Sequence, residues 1–152
     1  MRRFLARTFV VEASPSATWD RLVRVEDWPS WAKHIESAEL VPPGPLGPTT
    51  TGVFRLKPFL RARFAVVTFR PGEGWLWRGK FLWMTVDYDH HLEPAPGRGT
   101  RVTFTVDGRG LGQSTLGRVF ARAYGKNLDK AIANLVESLR SAPPAAGRIT
   151  SP

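Results

Sequence analysis

The feature that most constrains the fold is a long amphipathic segment near the C-terminus. Between Leu116 and Leu139, apolar residues recur at spacings of three, four and seven. This period predicts a helix over about residues 114–140, roughly 42 Å long at 1.5 Å per residue and therefore able to cross a whole sheet. Much of its other side is basic: Arg118, Arg122, Lys126 and Lys130.

The chain before this helix consists of β-prone runs separated by turns. The predicted strands are residues 4–11, 35–41, 52–56, 61–70, 75–83, 84–93 and 100–107, the fifth and sixth being nearly continuous. Proline and glycine fill the connections at 42–48, 71–74 and 94–99, which cannot hold a regular ladder. Such short connections predict an antiparallel meander of six or seven strands.

Two short helices are predicted between the first and second strands. Ser14 can accept a hydrogen bond from the first free helix N–H groups, and Pro15 suits the first helical position. A second helix is predicted to begin at Trp28, with Asp27 or Ser30 as its cap. The apolar face of the first helix consists of Trp19, Leu22 and Val23.

This order of elements resembles the START-related superfamily, which includes birch-pollen-allergen-like proteins. The segment 92–94 (LEP) followed by 99–103 (GTRVT) is similar to a strand–turn–strand of bacterial polyketide cyclase/dehydrase-like members. The resemblance covers residues 1–141 and implies one α+β helix-grip domain. In that fold an antiparallel curved sheet wraps around a long C-terminal helix, and two short helices follow strand 1. Residues 142–152, with three prolines and no periodicity, are predicted to be a disordered tail.

Composition excludes several classes of function. The chain has no cysteine, which excludes disulfides, thiolate metal sites and a cysteine nucleophile. No apolar run approaches the roughly 20 residues of a membrane span. Arg7 interrupts the apolar start, so no signal peptide is predicted and a cytoplasmic location is expected.

The charge of the chain is strongly basic and unevenly distributed. The formal net charge is +9, and residues 53–81 contain seven basic residues against one acid. These charges indicate either a solvated sheet face or attraction to an anionic ligand, membrane surface or nucleic acid. No basic helix, finger motif or RNA-binding signature supports specific nucleic-acid binding. We expect Arg55, Lys57, Arg61 and Arg63 to be exposed, because unpaired cations are seldom buried.

Strand alternation predicts which side chains line the concave face of the sheet. One set is mostly apolar and is predicted to point inward: Met84, Val86, Tyr88, His90 and Leu92. The other set is predicted to face water: Thr85, Asp87, Asp89 and His91. On the remaining strands the predicted inward residues are Phe54, Leu56, Trp75, Trp77, Phe81, Val102, Phe104 and Val106. In the strand 61–70 the predicted inward set is Phe64, Val66 and Thr68, and the alternative set on the opposite face is also apolar: Ala65, Val67 and Phe69.

The predicted interior contains few polar groups. His90 and Tyr88 are the candidate catalytic residues, able to orient or protonate a bound carbonyl or enol, or else to hydrogen-bond within the core. The predicted ligand-binding residues are Phe54, Phe64, Trp77, Trp83, Tyr88, His90, Phe104, Phe120 and Tyr124.

No metal site or cofactor is predicted. His90 and His91 are neighbours on a strand and point to opposite faces, so they cannot share a cation. His34 is predicted to be a surface or cap residue. The glycines at 108, 110 and 112 lack the spacing of a dinucleotide loop.

Three functions are compatible with these observations and with the resemblance. The first is binding of a hydrophobic or aromatic small molecule, lipid-like or polyketide-like, between sheet and helix. The second is a polyketide cyclase/aromatase-like enzyme in which His90 or Tyr88 moves protons. The third is a lipid- or quinone-associated factor whose basic surface, residues 53–81, faces an anionic membrane. A monomer and a homodimer are both compatible with the sequence.

Overall fold

The computed structural model describes residues 2–81, 83–109 and 115–141. Its strands are β1 Arg2–Val11, β2 Ile35–Val41, β3 Thr51–Leu56, β4 Leu60–Arg70, β5 Gly74–Phe81, β6 Met84–Pro94 and β7 Thr100–Arg109. They form one seven-stranded antiparallel sheet in the order β1-β7-β6-β5-β4-β3-β2, which confirms the predicted meander. The predicted tail, residues 142–152, lies outside the described residues.

Two short helices follow β1, as predicted. The first, α1 (Pro15–Val23), is capped by Ser14, whose Oγ accepts a hydrogen bond from the Ala17 N–H at 3.1 Å. The second is a 3₁₀ helix, Val25–Ser30, which begins earlier than predicted. The Asp27 N–H donates to the Arg24 carbonyl at 3.0 Å, so the turn starts before the predicted cap and Asp27 lies inside the helix.

The long C-terminal helix, α2 (Thr115–Ser141), differs from its prediction by one residue at each end. Its apolar stripe packs against the core, with Leu128, Ala131 and Leu135 buried and Phe120 and Tyr124 half-buried. At Gly125 the helix approaches β1, where an added Cβ would lie 3.3 Å from Nη2 of Arg7. No helix in the described part of the chain is both long and apolar enough to span a membrane.

Strand alternation holds along β7, where Val102, Phe104 and Val106 are buried. It fails in the second half of β4, where the pairing with β5 shifts between Val66 and Thr68. Because the extra residue turns the following side chains over, Thr68 is exposed and Phe69 lies inside, 5.6 Å from the ring of Trp19. The prediction that Thr68 points inward is therefore wrong.

Asp87 lies on the outer face of β6, as its parity requires, but it does not face water. Only 3% of its surface is exposed, because two arginines cover it. Nε of Arg78 lies 2.7 Å from Oδ1, and Nη1 of Arg109 lies 3.1 Å from Oδ2. The prediction that Asp87 faces water is wrong, because long cationic side chains on the neighbouring strands bury it.

Candidate functional site

Two adjoining cavities lie between the concave face of the sheet and α2. The larger, about 60 Å³, is bounded mainly by β3, β4, β5 and β6. The smaller, about 30 Å³, reaches from the residues after the 3₁₀ helix to β7 and α2. Six residues belong to both walls and mark the place where the cavities meet: Trp28, His34, Ile35, Tyr88, His90 and Tyr124.

The structure brings most of the predicted ligand-binding residues together at these cavities. Seven of them lie in the walls: Phe54, Phe64, Trp77, Tyr88, His90, Phe104 and Tyr124. Phe120 lies behind Tyr124, with ring centroids 5.9 Å apart. Trp83 lies outside both walls, next to the start of β6, with 46% of its surface exposed. Binding of a ligand by any of these residues remains a prediction.

His90 occupies the aromatic centre of the site. Its ring stacks on Trp75 and meets the edges of Trp77 and Phe104, with centroids 4.9 and 5.1 Å away. It is 6% exposed, and burial lowers its pKa to about 3. The imidazole is therefore neutral at pH 7, a state that suits hydrogen bonding and orientation of a ligand better than proton donation.

Two phenols supply polar groups in otherwise apolar walls. The rings of Tyr88, on β6, and Tyr124, on α2, lie 5.8 Å apart, and burial raises the pKa of both. Both phenols therefore stay protonated at neutral pH. Neither hydroxyl hydrogen-bonds to another of the described residues, so both are available to a ligand. Gly79 leaves room for the Tyr88 ring, because a Cβ there would lie 3.0 Å from Cε2.

His34 and Asp89 are wall residues that the sequence did not predict. His34 is half-buried, its ring 6.1 Å from that of Tyr124, and burial lowers its pKa. The prediction of a surface or cap residue is wrong, because α2 covers the chain just before β2. Asp89 is half-buried instead of solvated, and its Oδ1 accepts a hydrogen bond from the His90 N–H at 3.1 Å. His91 lies outside both walls.

Sequence alternation could not identify His34, since it lies in a turn between a helix and a strand. The available signal was its position three residues after Trp31, in a segment whose tryptophans face the core. Trp28 and Trp31 are 7% and 2% exposed, and both belong to the wall of the smaller cavity.

Charged groups lie around the site and not in its centre. Arg55, Lys57, Arg61 and Arg63 are all exposed, as expected, and Arg63 borders the larger cavity together with Lys80. A separate open groove of about 580 Å³ runs between β1 and α2. The cations along it are Arg3, Arg7, Arg118, Arg122 and Lys126. The described residues contain no group of three or more histidine or acidic side chains placed to hold a metal ion.

The sequence matches one protein family over nearly its whole length. Residues 4–140 match the family described as "Polyketide cyclase / dehydrase and lipid transport". The chain belongs to this family. No curated protein matches the sequence.

Solved structures of this family's architecture are similar to the chain in fold. A START superfamily protein from Mycobacterium smegmatis is 14% identical with a TM-score of 0.70, covering 89% of this chain and 97% of its own. A hypothetical protein from Helicobacter pylori is 13% identical with a TM-score of 0.75, covering 89% and 86%. The Zhui aromatase/cyclase from a Streptomyces species is 13% identical with a TM-score of 0.72, covering 94% and 96%. At these identities the similarity shows the helix-grip fold alone.

Proposed function

We propose that this family member binds an apolar or aromatic small molecule carrying a carbonyl or hydroxyl group, between the sheet and α2. The observation that carries the proposal is a pair of half-buried phenols in an aromatic wall, Tyr88 and Tyr124, whose hydroxyls have no hydrogen-bond partner among the described residues. Apolar walls with a few polar anchors are typical of small-molecule sites. A neutral phenol donates well to a carbonyl oxygen, which favours a ketone or quinone over a plain hydrocarbon.

The size of the cavities indicates that the walls rearrange when a ligand enters. Volumes of about 60 and 30 Å³ are small beside the roughly 300–1,000 Å³ of typical ligand sites. His34 and Tyr124 lie in both walls with their ring centroids 6.1 Å apart, and we expect a displacement of either ring to join the two cavities. A ligand with two fused rings would need this movement.

The test is a titration with prodan, a fluorescent naphthyl ketone whose emission moves to shorter wavelength in apolar surroundings. Wild-type protein is expected to bind the probe saturably. His90→Ala should change the affinity, because it alters the wall, whereas His91→Ala should leave it near wild type. Native mass spectrometry of freshly purified protein would reveal a retained natural ligand. Absence of saturable binding, or equal effects of the two substitutions, would argue against the interior as a binding site.

Catalysis on a polyketide-like substrate is the second candidate function. It is supported by the family and by the fold shared with an aromatase/cyclase. In such a reaction Tyr88 could donate a hydrogen bond to a developing enolate, and neutral His90 could orient the chain. The groups act on one substrate, so they must lie close together, and they share a wall of the same cavity.

The catalytic candidate is tested with a synthetic poly-β-ketone, following cyclisation and loss of water by mass spectrometry. If turnover occurs, Tyr88→Phe should reduce the rate by about 10²-fold, the usual scale for a lost hydrogen-bond donor to a developing oxyanion. His90→Ala should also reduce the rate, because the chain is then no longer held in the reactive orientation. His91→Ala is the control. A cyclisation rate equal to that of the buffer alone would leave binding as the function of the cavity.

A further inference from the structure

Two pairs of cations face each other directly across neighbouring strands on the outer surface of the sheet. Arg55 on β3 is paired with Arg61 on β4, and Arg63 on β4 is paired with Lys80 on β5. Like charges in this position destabilise a sheet. All four residues are exposed, and none forms an ion pair with an acid in the described part of the chain. Two uncompensated pairs of this kind indicate an anionic partner outside the chain.

Two large apolar side chains are exposed at the same end of the sheet. Phe59, in the β3–β4 turn, is 84% exposed, and Trp83, in the β5–β6 turn, is 46% exposed. Because the four strands are antiparallel neighbours, both turns leave the sheet at one end. Phe59 precedes Arg63 by four residues and Trp83 follows Lys80 by three. At roughly 3.3 Å per strand residue, the Cα atoms of Phe59 and Trp83 lie at most about 13 and 10 Å beyond the Arg63–Lys80 pair.

The larger cavity reaches this same end of the sheet. Its wall includes Arg63 and Lys80, one of the two pairs of cations. Leu56 and Ala62, from the two strands that the Phe59 turn joins, are also in the wall. A partner seated on the exposed rings would thus lie beside the cavity.

We propose that this end of the sheet docks on an anionic phospholipid bilayer, and that the cavity exchanges its ligand with that bilayer. The docking surface consists of Phe59, Trp83, Arg61, Arg63 and Lys80. The exchange step rests on the proposed ligand-binding function, whereas docking does not. Cations attract the anionic headgroups, and aromatic rings favour the boundary between headgroups and acyl chains. The exposed rings favour a bilayer over a small soluble anion, which would leave both rings in water. Against a nucleic acid, the sequence has no basic helix, finger motif or RNA-binding signature.

The first test is flotation of the full chain with vesicles of phosphatidylcholine, alone or mixed with phosphatidylglycerol. Wild type is expected to float only with the mixed vesicles. Combining Arg61→Gln, Arg63→Gln and Lys80→Gln should weaken binding by about tenfold or more. The matched control combines Arg118→Gln, Arg122→Gln and Lys126→Gln on α2, which removes the same charge from another surface. Equal losses in the two variants would overturn the proposal, because binding would then follow net charge.

The second test concerns the two exposed aromatic side chains, Phe59 and Trp83. Phe59→Ser should weaken vesicle binding several-fold, and the control is Val41→Ser, since Val41 is 65% exposed at the far end of β2. Trp83 should show a vesicle-dependent shift of its emission to shorter wavelength, and Trp83→Phe should remove that shift. Two results would contradict insertion of this docking surface: no emission shift in the wild-type protein, or equal losses of vesicle binding from the substitutions at positions 59 and 41.

Docking and ligand binding fail separately in these experiments. Phe59→Ser and Arg61→Gln lie outside the cavity walls, so they should bind prodan normally in the absence of vesicles. Prodan binding without any flotation would overturn docking and leave the proposed function intact. Flotation without prodan binding would retain docking and overturn ligand exchange. A gel shift with an oligonucleotide, in place of flotation, would identify a nucleic-acid surface and overturn the proposal.

Discussion

The imidazole of His90 lies flat against the indole of Trp75, with ring centroids 4.3 Å apart and planes inclined by 14°. The two residues are directly paired across β5 and β6, and Nδ1 of His90 lies 3.4 Å from the Trp75 carbonyl oxygen. The register of β5 against β6 therefore determines both the ring stacking and the contact with the carbonyl oxygen. The ring is enclosed by aromatic groups that cannot stabilise a positive charge as water does, which keeps it neutral.

The first prediction concerns the pH dependence of stability. In the unfolded chain the pKa of histidine is near 6.5, whereas burial lowers that of His90 to about 3. Protons therefore bind the unfolded state preferentially between these values. The contribution of His90 to the free energy of unfolding is complete above pH 6.5. It is lost as the pH falls below that value, by up to about 1.4 kcal/mol per pH unit. Urea unfolding at several pH values between 7.5 and 4 measures this slope.

The comparison that isolates His90 uses His90→Gln. This variant should lose less stability than wild type as the pH falls from roughly 6.5, because the buried titrating group is gone. His34, whose pKa is also lowered, contributes in the same direction to both proteins. Parallel curves for wild type and His90→Gln would show that His90 is not held neutral.

The second prediction separates binding from stability at Tyr124. Its hydroxyl has no hydrogen-bond partner in the described part of the chain, so Tyr124→Phe should change the free energy of unfolding by less than about 0.5 kcal/mol. The same substitution should weaken prodan binding by roughly tenfold, the value of about one hydrogen bond. A thermal melt and a probe titration on the same preparation measure the two effects. A large loss of stability would instead indicate a structural hydrogen bond.

The third prediction concerns Gly74 at the start of β5. An added Cβ would lie 2.1 Å from the His90 carbonyl oxygen, a backbone atom that cannot move aside without breaking the β5–β6 pairing. Gly74→Ala should therefore destabilise the protein by about 3 kcal/mol or more. Gly47→Ala is the control, because its nearest neighbour, Oγ1 of Thr50, is 3.8 Å away. Denaturant unfolding measures the loss of stability in both variants. Equal losses would show that β5 and β6 can move apart at Gly74 without cost.

The fourth prediction concerns the charged group buried on the outer face. Asp87 accepts hydrogen bonds from Arg78 and Arg109, whose side chains are 38% and 40% exposed. Because water can still reach both arginines, Asp87→Ala should cost about 1–3 kcal/mol, less than a fully buried pair would. Asp20→Ala, on the exposed side of α1, should stay within about 0.5 kcal/mol. Similar values for the two variants would show that the pairs contribute nothing to stability.

Local patterns in the sequence were sufficient to predict the helices and strands and most of the side chains on the inner face of the sheet. The 3.6-residue period gave α2 to within one residue at each end, and the period of two placed Tyr88, His90 and Phe104 inward. Alternation works along β6 and β7 because neither strand is interrupted by a bulge. The serine–proline pair at 14–15 also acts over a few residues, so the sequence alone was enough to predict the start of α1.

Only the tertiary structure decided the features that depend on contacts between distant segments. The β4 bulge that exposes Thr68 and buries Phe69 depends on the register with β5, which no local pattern records. Asp87 is buried by arginines 9 and 22 residues away along the chain. His34 enters the cavity wall because α2 packs over it. Periodicity determines which way a side chain points, whereas its burial, pKa and partners depend on what the rest of the chain places against it.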